Sequence, residues 1–159
     1  SWGKLPGTIL NYINYSPSSG TDLFSLTSQM ANVFNGSLKT TFTPTSQLVL
    51  VSFSVYNRVS SFSDRTTLYL GLSGNSDSET YSEWSSDYSG TSNQDTKRIM
   101  TNNVNTSGIR TCEWILNVSS GSTYHINVSA SSSVTAHNLA AGFLGNTPYP
   151  PCILKVSVL

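Results

Sequence analysis

The strongest constraint in this 159-residue chain is an alternation of period two that recurs along most of its length. In Gln47 to Tyr56, Val49, Val51, Phe53 and Val55 alternate with Leu48, Leu50, Ser52 and Ser54. One face is wholly apolar and the other mixed, the pattern of an interior strand. Thr66 to Ser73 puts Leu68, Leu70 and Leu72 on one face. Ile109 to Val118 turns Cys112, Trp114, Leu116 and Val118 inward. Thr123 to Ser131 buries Tyr124, Ile126, Val128 and Ala130 and shows His125, Asn127 and Ser129. Cys152 to Leu159 turns Leu154, Val156 and Val158 inward, with Lys155 and Ser157 outward. Shorter strands are expected at Ile9 to Tyr15 and Leu38 to Thr43, and weaker ones near Tyr81, Ile99 and Leu139. Clusters that reverse a chain separate them, among them Ser16 to Gly20, Asn35-Gly36, Ser73 to Asn75, Ser119 to Gly121 and Gly145-Asn146. No segment carries a helical stripe over eleven or more residues. Eight to ten short strands spaced by turns make an all-β antiparallel sandwich.

Composition narrows the function. Lys+Arg and Asp+Glu are balanced at 8 each, and charged residues are only 10% of the chain. The surface is instead supplied by 30 Ser, 18 Thr and 14 Asn. Balanced charge, with no basic stretch beyond Lys97-Arg98, argues against binding nucleic acid by counterion release. The 39 Leu, Ile, Val and Phe exceed what disordered chains carry. The length suits one domain, residues 1–159, burying about two-thirds of its unfolded surface. No apolar run approaches the ~20 residues of a membrane helix, so membrane insertion is not expected. The N-terminus lacks the pattern of a signal peptide. The chain is thus expected to be a mature or excised fragment, or one that never crosses a secretion pore.

The first strand, Ile9, Leu10, Tyr12, Ile13 and Tyr15, is apolar on both faces, and the last carries Ile153 and Leu159 on its outer face. Such strands want a second cover, from a neighbouring loop or from another subunit.

Three segments together carry a family likeness. Thr41-Phe-Thr-Pro-Thr-Ser-Gln47 runs into a Val-rich strand. Leu116 to Ser131 is a hairpin around Ser-Gly-Ser-Thr-Tyr. Tyr149-Pro-Pro-Cys-Ile-Leu-Lys-Val-Ser-Val-Leu159 closes the chain. In this order they resemble the trimeric jelly-roll heads of bacteriophage tail fibres and virion spikes, relatives of the complement and tumour-necrosis-factor-like fold. The likeness covers residues 37–159 and leaves 1–36 as an N-terminal strand and connector. It implies a jelly roll, a homotrimer packed through its first and last strands, a place on the virion surface among other virion proteins, and attachment to a host cell-surface receptor, glycan or protein. Two other readings stay open: a structural capsid or spike subunit without receptor binding, and a secreted monomeric carbohydrate-binding module.

The most unusual stretch is Asp77 to Tyr88, which holds four of the eight carboxylates and three aromatics. Aromatic rings stack on sugar faces and carboxylates accept pairs of sugar hydroxyls, which makes Tyr81, Glu83, Trp84, Asp87 and Tyr88 candidate ligand contacts. The bland alternative is a plugged sandwich end with solvated acids. These carboxylates could also hold a calcium ion, but the spacing matches no calcium loop with fixed ligand positions, and no cofactor is expected. A second candidate is Arg58 to Arg65, where Arg58, Phe62 and Arg65 would suit an acidic sugar, against an ordinary connector. His125 points outward, where three copies could meet around a metal in a trimer; a solvated histidine is the commoner outcome. His137 has no partner visible in sequence. Cys112 and Cys152 share the inward parity, which allows a bridge and equally allows two buried thiols. Five Asn-x-Ser/Thr sequons are about what this composition produces by chance. No serine elbow, paired-carboxylate motif or phosphate loop occurs, and catalysis is not expected.

Overall fold

A computed structural model describes residues 5–17, 20–59, 68–73, 97–101, 106–133, 137–144 and 147–159. Twelve strands run through them: β1 (Ile9–Tyr15), β2 (Thr21–Ser25), β3 (Ala31–Asn32), β4 (Lys39–Phe42), β5 (Leu48–Val59), β6 (Leu68–Ser73), β7 (Lys97–Thr101), β8 (Gly108–Asn117), β9 (Tyr124–Ser132), β10 (His137–Leu144), β11 (Thr147–Tyr149) and β12 (Cys152–Val158). The two-residue β3 and three-residue β11 are too short to show a period. Phe34 and Asn35 form a tight turn between β3 and β4 with φ of 47° and 54°. The left-handed region is costly for a ring side chain. Here Phe34 is buried, with its ring 5.0 Å from Tyr15 and 6.0 Å from Phe24.

All pairings are antiparallel and fall into two sheets. The first is built on β1–β12–β5–β8, and the second on β3 and β4, then β9, β6 and β7. Taking β3 and β4 as one broken strand leaves eight principal strands. Their order is first–eighth–third–sixth in one sheet and second–seventh–fourth–fifth in the other, which is the jelly roll. The β10–β11 hairpin and β2 extend the first sheet past β12.

Between the sheets lies a core of alternating residues. Val49, Val51, Phe53 and Val55 of β5, Cys112, Trp114 and Leu116 of β8, and Leu154 and Val156 of β12 meet Ile126, Val128 and Ala130 of β9. Tyr124 is half-buried: its ring stacks on Phe42 at 5.6 Å, and its phenol oxygen accepts the Ser119 N–H at 2.7 Å, closing the β8–β9 turn. In β1 the register with β12 shifts between Ile9 and Asn11. This bulge lets Leu10 join Ile13 and Tyr15 against the core while Ile9, Tyr12 and Asn14 are exposed, so it settles the strand's two apolar faces.

Two expectations are corrected. Asn127 and Ser129 of β9 are buried rather than shown. Small polar groups tolerate this when partnered, and the Ser129 hydroxyl donates to Asn32 Oδ1 of β3 at 2.5 Å. Ser157 of β12 is likewise buried, opposite Ile9. The cysteines are free thiols. β8 and β12 flank β5 on opposite edges, so their Cα atoms stand about two strand spacings, ~9.5 Å, apart. That exceeds the ~7 Å a bridge allows.

Two substitutions test this packing by chemical denaturation. Trp114→Ala empties the largest fully buried side chain among the described residues and is expected to cost about 3–5 kcal/mol. Gly142 has φ of +86°, and a Cβ there would lie 2.4 Å from the Gly20 carbonyl oxygen and 2.6 Å from Pro17 Cγ. Gly142→Ala is therefore expected to destabilise by at least about 1–3 kcal/mol from backbone strain alone.

Candidate functional site

Where no other element covers it, the outward face of the first sheet can be read row by row from the register. Ile9 aligns with Ser157, Leu50 and Ile115. Next to that row, Leu159 bonds to the Leu48 carbonyl and Leu48 pairs with Asn117. The following row is polar: Tyr12, Lys155, Ser52 and Glu113, with the Ser52 hydroxyl donating to Glu113 Oε1 at 3.1 Å. Beyond it come Asn14, Ile153, Ser54 and Thr111, and then Tyr56 opposite Ile109. Ile9 is 53% exposed, Tyr12 46%, Ile109 57% and Leu159 44%. An apolar end, a charged belt with one lysine and one glutamate, and a second apolar end thus share one sheet face.

At that second end Tyr149 tilts against Tyr56, ring centroids 5.0 Å apart. Arg58, two residues along the same face, is half-buried and pairs with Asn138 of β10. Among the candidate contacts, Arg58 alone lies within the described residues. Phe62 and Arg65, and the whole of Tyr81, Glu83, Trp84, Asp87 and Tyr88, lie outside them, as does the strand expected near Tyr81. The strands that bracket these segments are described. Val59 and Leu68 stand where β9 ends, opposite His137 and Ser132. Ser73 stands where β9 begins, opposite Asn127. The described strands on either side of the two stretches thus stop at opposite ends of the sandwich.

The histidines part company. His125 is exposed on β9, in the second sheet, so an assembly through the first sheet keeps its copies apart. Among the described residues no group of three or more His, Cys, Asp and Glu side chains could hold a metal, and no helix is long and apolar enough to cross a membrane. His137 is fully buried, with Nδ1 3.2 Å from Asn57 Oδ1. Burial, and then the Arg110 cation, hold its pKa below the usual imidazole range.

A second polar group, half-buried, joins β1, β2 and β12. The Tyr15 phenol donates to Asp22 Oδ2. Burial, helped by this bond and the carboxylate's charge, pushes the phenol up to about 12. Cys152, opposite Tyr15 in the register, is pushed up to about 12 by burial and then by Asp22. It stays a thiol at neutral pH, a packing residue rather than a nucleophile.

Sequence reasoning missed Asn57 and Arg110. The signal was there: both sit at inward positions of strands whose other inward positions are apolar.

The class is thus an antiparallel jelly-roll sandwich with an open, partly apolar sheet face. No protein-family model matches the chain, and no curated protein matches it. Among solved structures it is similar to Eiger TNF from S. frugiperda, at 10% identity and a TM-score of 0.43, over 98% of this chain and 94% of that one. It is similar to the CBM22-1–GH10 modules of Clostridium thermocellum endo-1,4-β-D-xylanase 10B, complexed with xylohexaose, at 12% and 0.37, over 96% of this chain and 27% of that one. A third is the CBM22-1 xylan-binding domain of Paenibacillus barcinonensis Xyn10C, at 11% and 0.35, over 97% of each chain. At these TM-scores the functional reading rests on the chain's own residues.

His137 makes stability depend on pH. Its folded pKa lies below the unfolded value of about 6.5, so above that pH both states are neutral and the stability is full. As pH falls below 6.5 the unfolded chain takes up the proton first, and stability drops. Melting temperature is expected to fall from pH 7 to 5, with a shallower slope in His137→Gln than in the parent.

Proposed function

We propose that this protein is an attachment head, a homotrimeric jelly roll that binds a virion to a receptor on the host cell surface, with a glycan as the favoured ligand. The observation that carries the reading is the open face of the first sheet. Ile9, Leu50, Ile115, Leu48 and Leu159 gather at one end of it, Tyr56 and Ile109 at the other, and the charged belt runs between. A contiguous apolar surface on a sheet is stabilised by a second cover.

The register favours a further copy as that cover. A symmetry axis running along the strands keeps each row at its own height, so apolar rows meet apolar rows. Lys155 and Glu113 occupy the same row on strands either side of β5, where the lysine of one copy can approach the glutamate of the next. The threefold order comes from the likeness to trimeric fibre and spike heads. A trimer turns three modest receptor sites into one avid attachment, and Tyr81 to Tyr88 carries the aromatic and acidic groups suited to a sugar. The role is binding rather than catalysis, without a metal or other cofactor.

Sedimentation tests the assembly. The parent is expected to sediment as three chains of 17.2 kDa, and Leu50→Lys with Ile115→Lys to give a folded single chain. A parent that sediments as one chain overturns the trimer. Trp84→Ala with Tyr88→Ala is expected to lower cell attachment at least about tenfold while the trimer and its melting temperature are kept. Attachment unchanged by that pair removes the contact stretch from the proposal.

A further inference from the structure

The inward side of the first sheet changes character at one end. Along β5 the inward positions run Val49, Val51, Phe53 and Val55, and then Asn57. On β8 the matching positions run Leu116, Trp114 and Cys112, and then Arg110 and Gly108. His137 begins β10 opposite Val59. Asn57, Gly108, Arg110 and His137 therefore share the end of the sandwich where the apolar core stops.

Two donors there have nothing to bond. Asn57 is fully buried, and while its Oδ1 meets His137 Nδ1, its Nδ2 makes no hydrogen bond. The buried Arg110 Nε makes none either, although Nη2 of the same guanidinium donates to the Thr106 carbonyl at 2.7 Å. Buried donors without acceptors are rare because each has given up water for no return. Open space lies one strand across, on β8. Gly108 stands opposite Asn57, and a Cβ built on it would meet nothing within 4 Å. Arg110 itself is half-exposed.

Both unsatisfied groups are donors, and one belongs to a cation. A water accepting from both would leave the charge of the Arg110 guanidinium unanswered. An acceptor with two oxygens and a negative charge suits both donors. We propose that Asn57, Gly108, Arg110 and His137 form a carboxylate-binding pocket, in which the ligand's oxygens accept from Asn57 Nδ2 and Arg110 Nε. The carboxylate could be that of a small organic acid or of an acidic sugar; the chemistry is shared. The pocket lies on the inward side of the sheet whose outward side is the trimer face, so it stands independently of the attachment reading.

His137 reports on occupancy. Among the described residues Arg110 of β8 is the charged group facing it. β5 presents Asn57 and Val59, and Leu26, just past β2, donates its N–H to the His137 carbonyl at 3.0 Å. A bound anion would offset the Arg110 charge and favour the protonated ring, so binding should take up a proton and tighten as pH falls.

The test is NMR of the two imidazoles during addition of acetate, glucuronate, N-acetylneuraminate, methyl glucoside or chloride, with His125→Gln used for assignment. The carboxylates are expected to move the His137 resonances saturably and raise its titration midpoint, leaving His125 unmoved. Acetate binding as tightly as the sugars identifies a small acid as the ligand; tenfold tighter binding of glucuronate or N-acetylneuraminate identifies an acidic sugar. Arg110→Gln is expected to weaken binding at least tenfold, and Gly108→Val to block it with both donors intact. The pocket is overturned by the absence of a saturable shift with every carboxylate, by an equal response to methyl glucoside or chloride, or by unchanged affinity in both folded variants.

Discussion

Everything in this fold depends on the pairing of β5. Residues 48–57 of this twelve-residue strand pair with β8 along one edge, and the other edge pairs with β12 and then β10. A strand held on both edges cannot slip by one residue without turning Val49, Val51, Phe53 and Val55 out of the core. That register aligns the rows of the outward face, sets Asn57 beside Arg110 and His137, and keeps Cys112 and Cys152 too far apart to join.

The two faces of the first sheet are specialised in opposite senses. The inward face is apolar until its last positions, where a buried amide, a guanidinium and an imidazole replace the aliphatic side chains. The outward face is polar through its middle and apolar towards its ends. Neither departure helps an isolated sandwich: buried donors without acceptors cost stability, and exposed Ile9, Ile109 and Leu159 gain none. Local rules are broken where a surface or cavity has a partner to meet. The proposed trimer face and the proposed carboxylate pocket rest on these two departures, one on each side of the same sheet.

Some strands were legible because burial acts on alternate residues. β1 begins and ends at the residues the alternation marks, and β5, β8, β9 and β12 differ from it by a residue or two at most, β5 excepted at its far end, where Asn57 and Arg58 break the apolar pattern. β2 was not legible, since Thr21-Asp22-Leu23-Phe24-Ser25 carries no clear period and is a strand because β10 pairs with it. The two-faced β1 was visible as a conflict, and a backbone bulge resolved it. Asn127 and Ser129 were misplaced because alternation cannot tell a solvated outer face from a covered one. Of the candidate contacts, Arg58 was located on its sheet face beside Tyr56, whereas nothing in spacing alone could bring His137 to Asn57 across 80 residues.

By itself, then, the sequence determined the all-β class, the strands with a strong period, the inward residues of the core and the excess of apolar groups on the first and last strands. These follow from hydrophobicity sampled at the two-residue repeat of an extended chain, a local property. Tertiary structure alone decided the jelly-roll order, the separation of the thiols, the rows of the open face and the meeting of Asn57, Gly108, Arg110 and His137. Those depend on which strands become neighbours, and strand pairing is a long-range choice made by the collapse of the whole core.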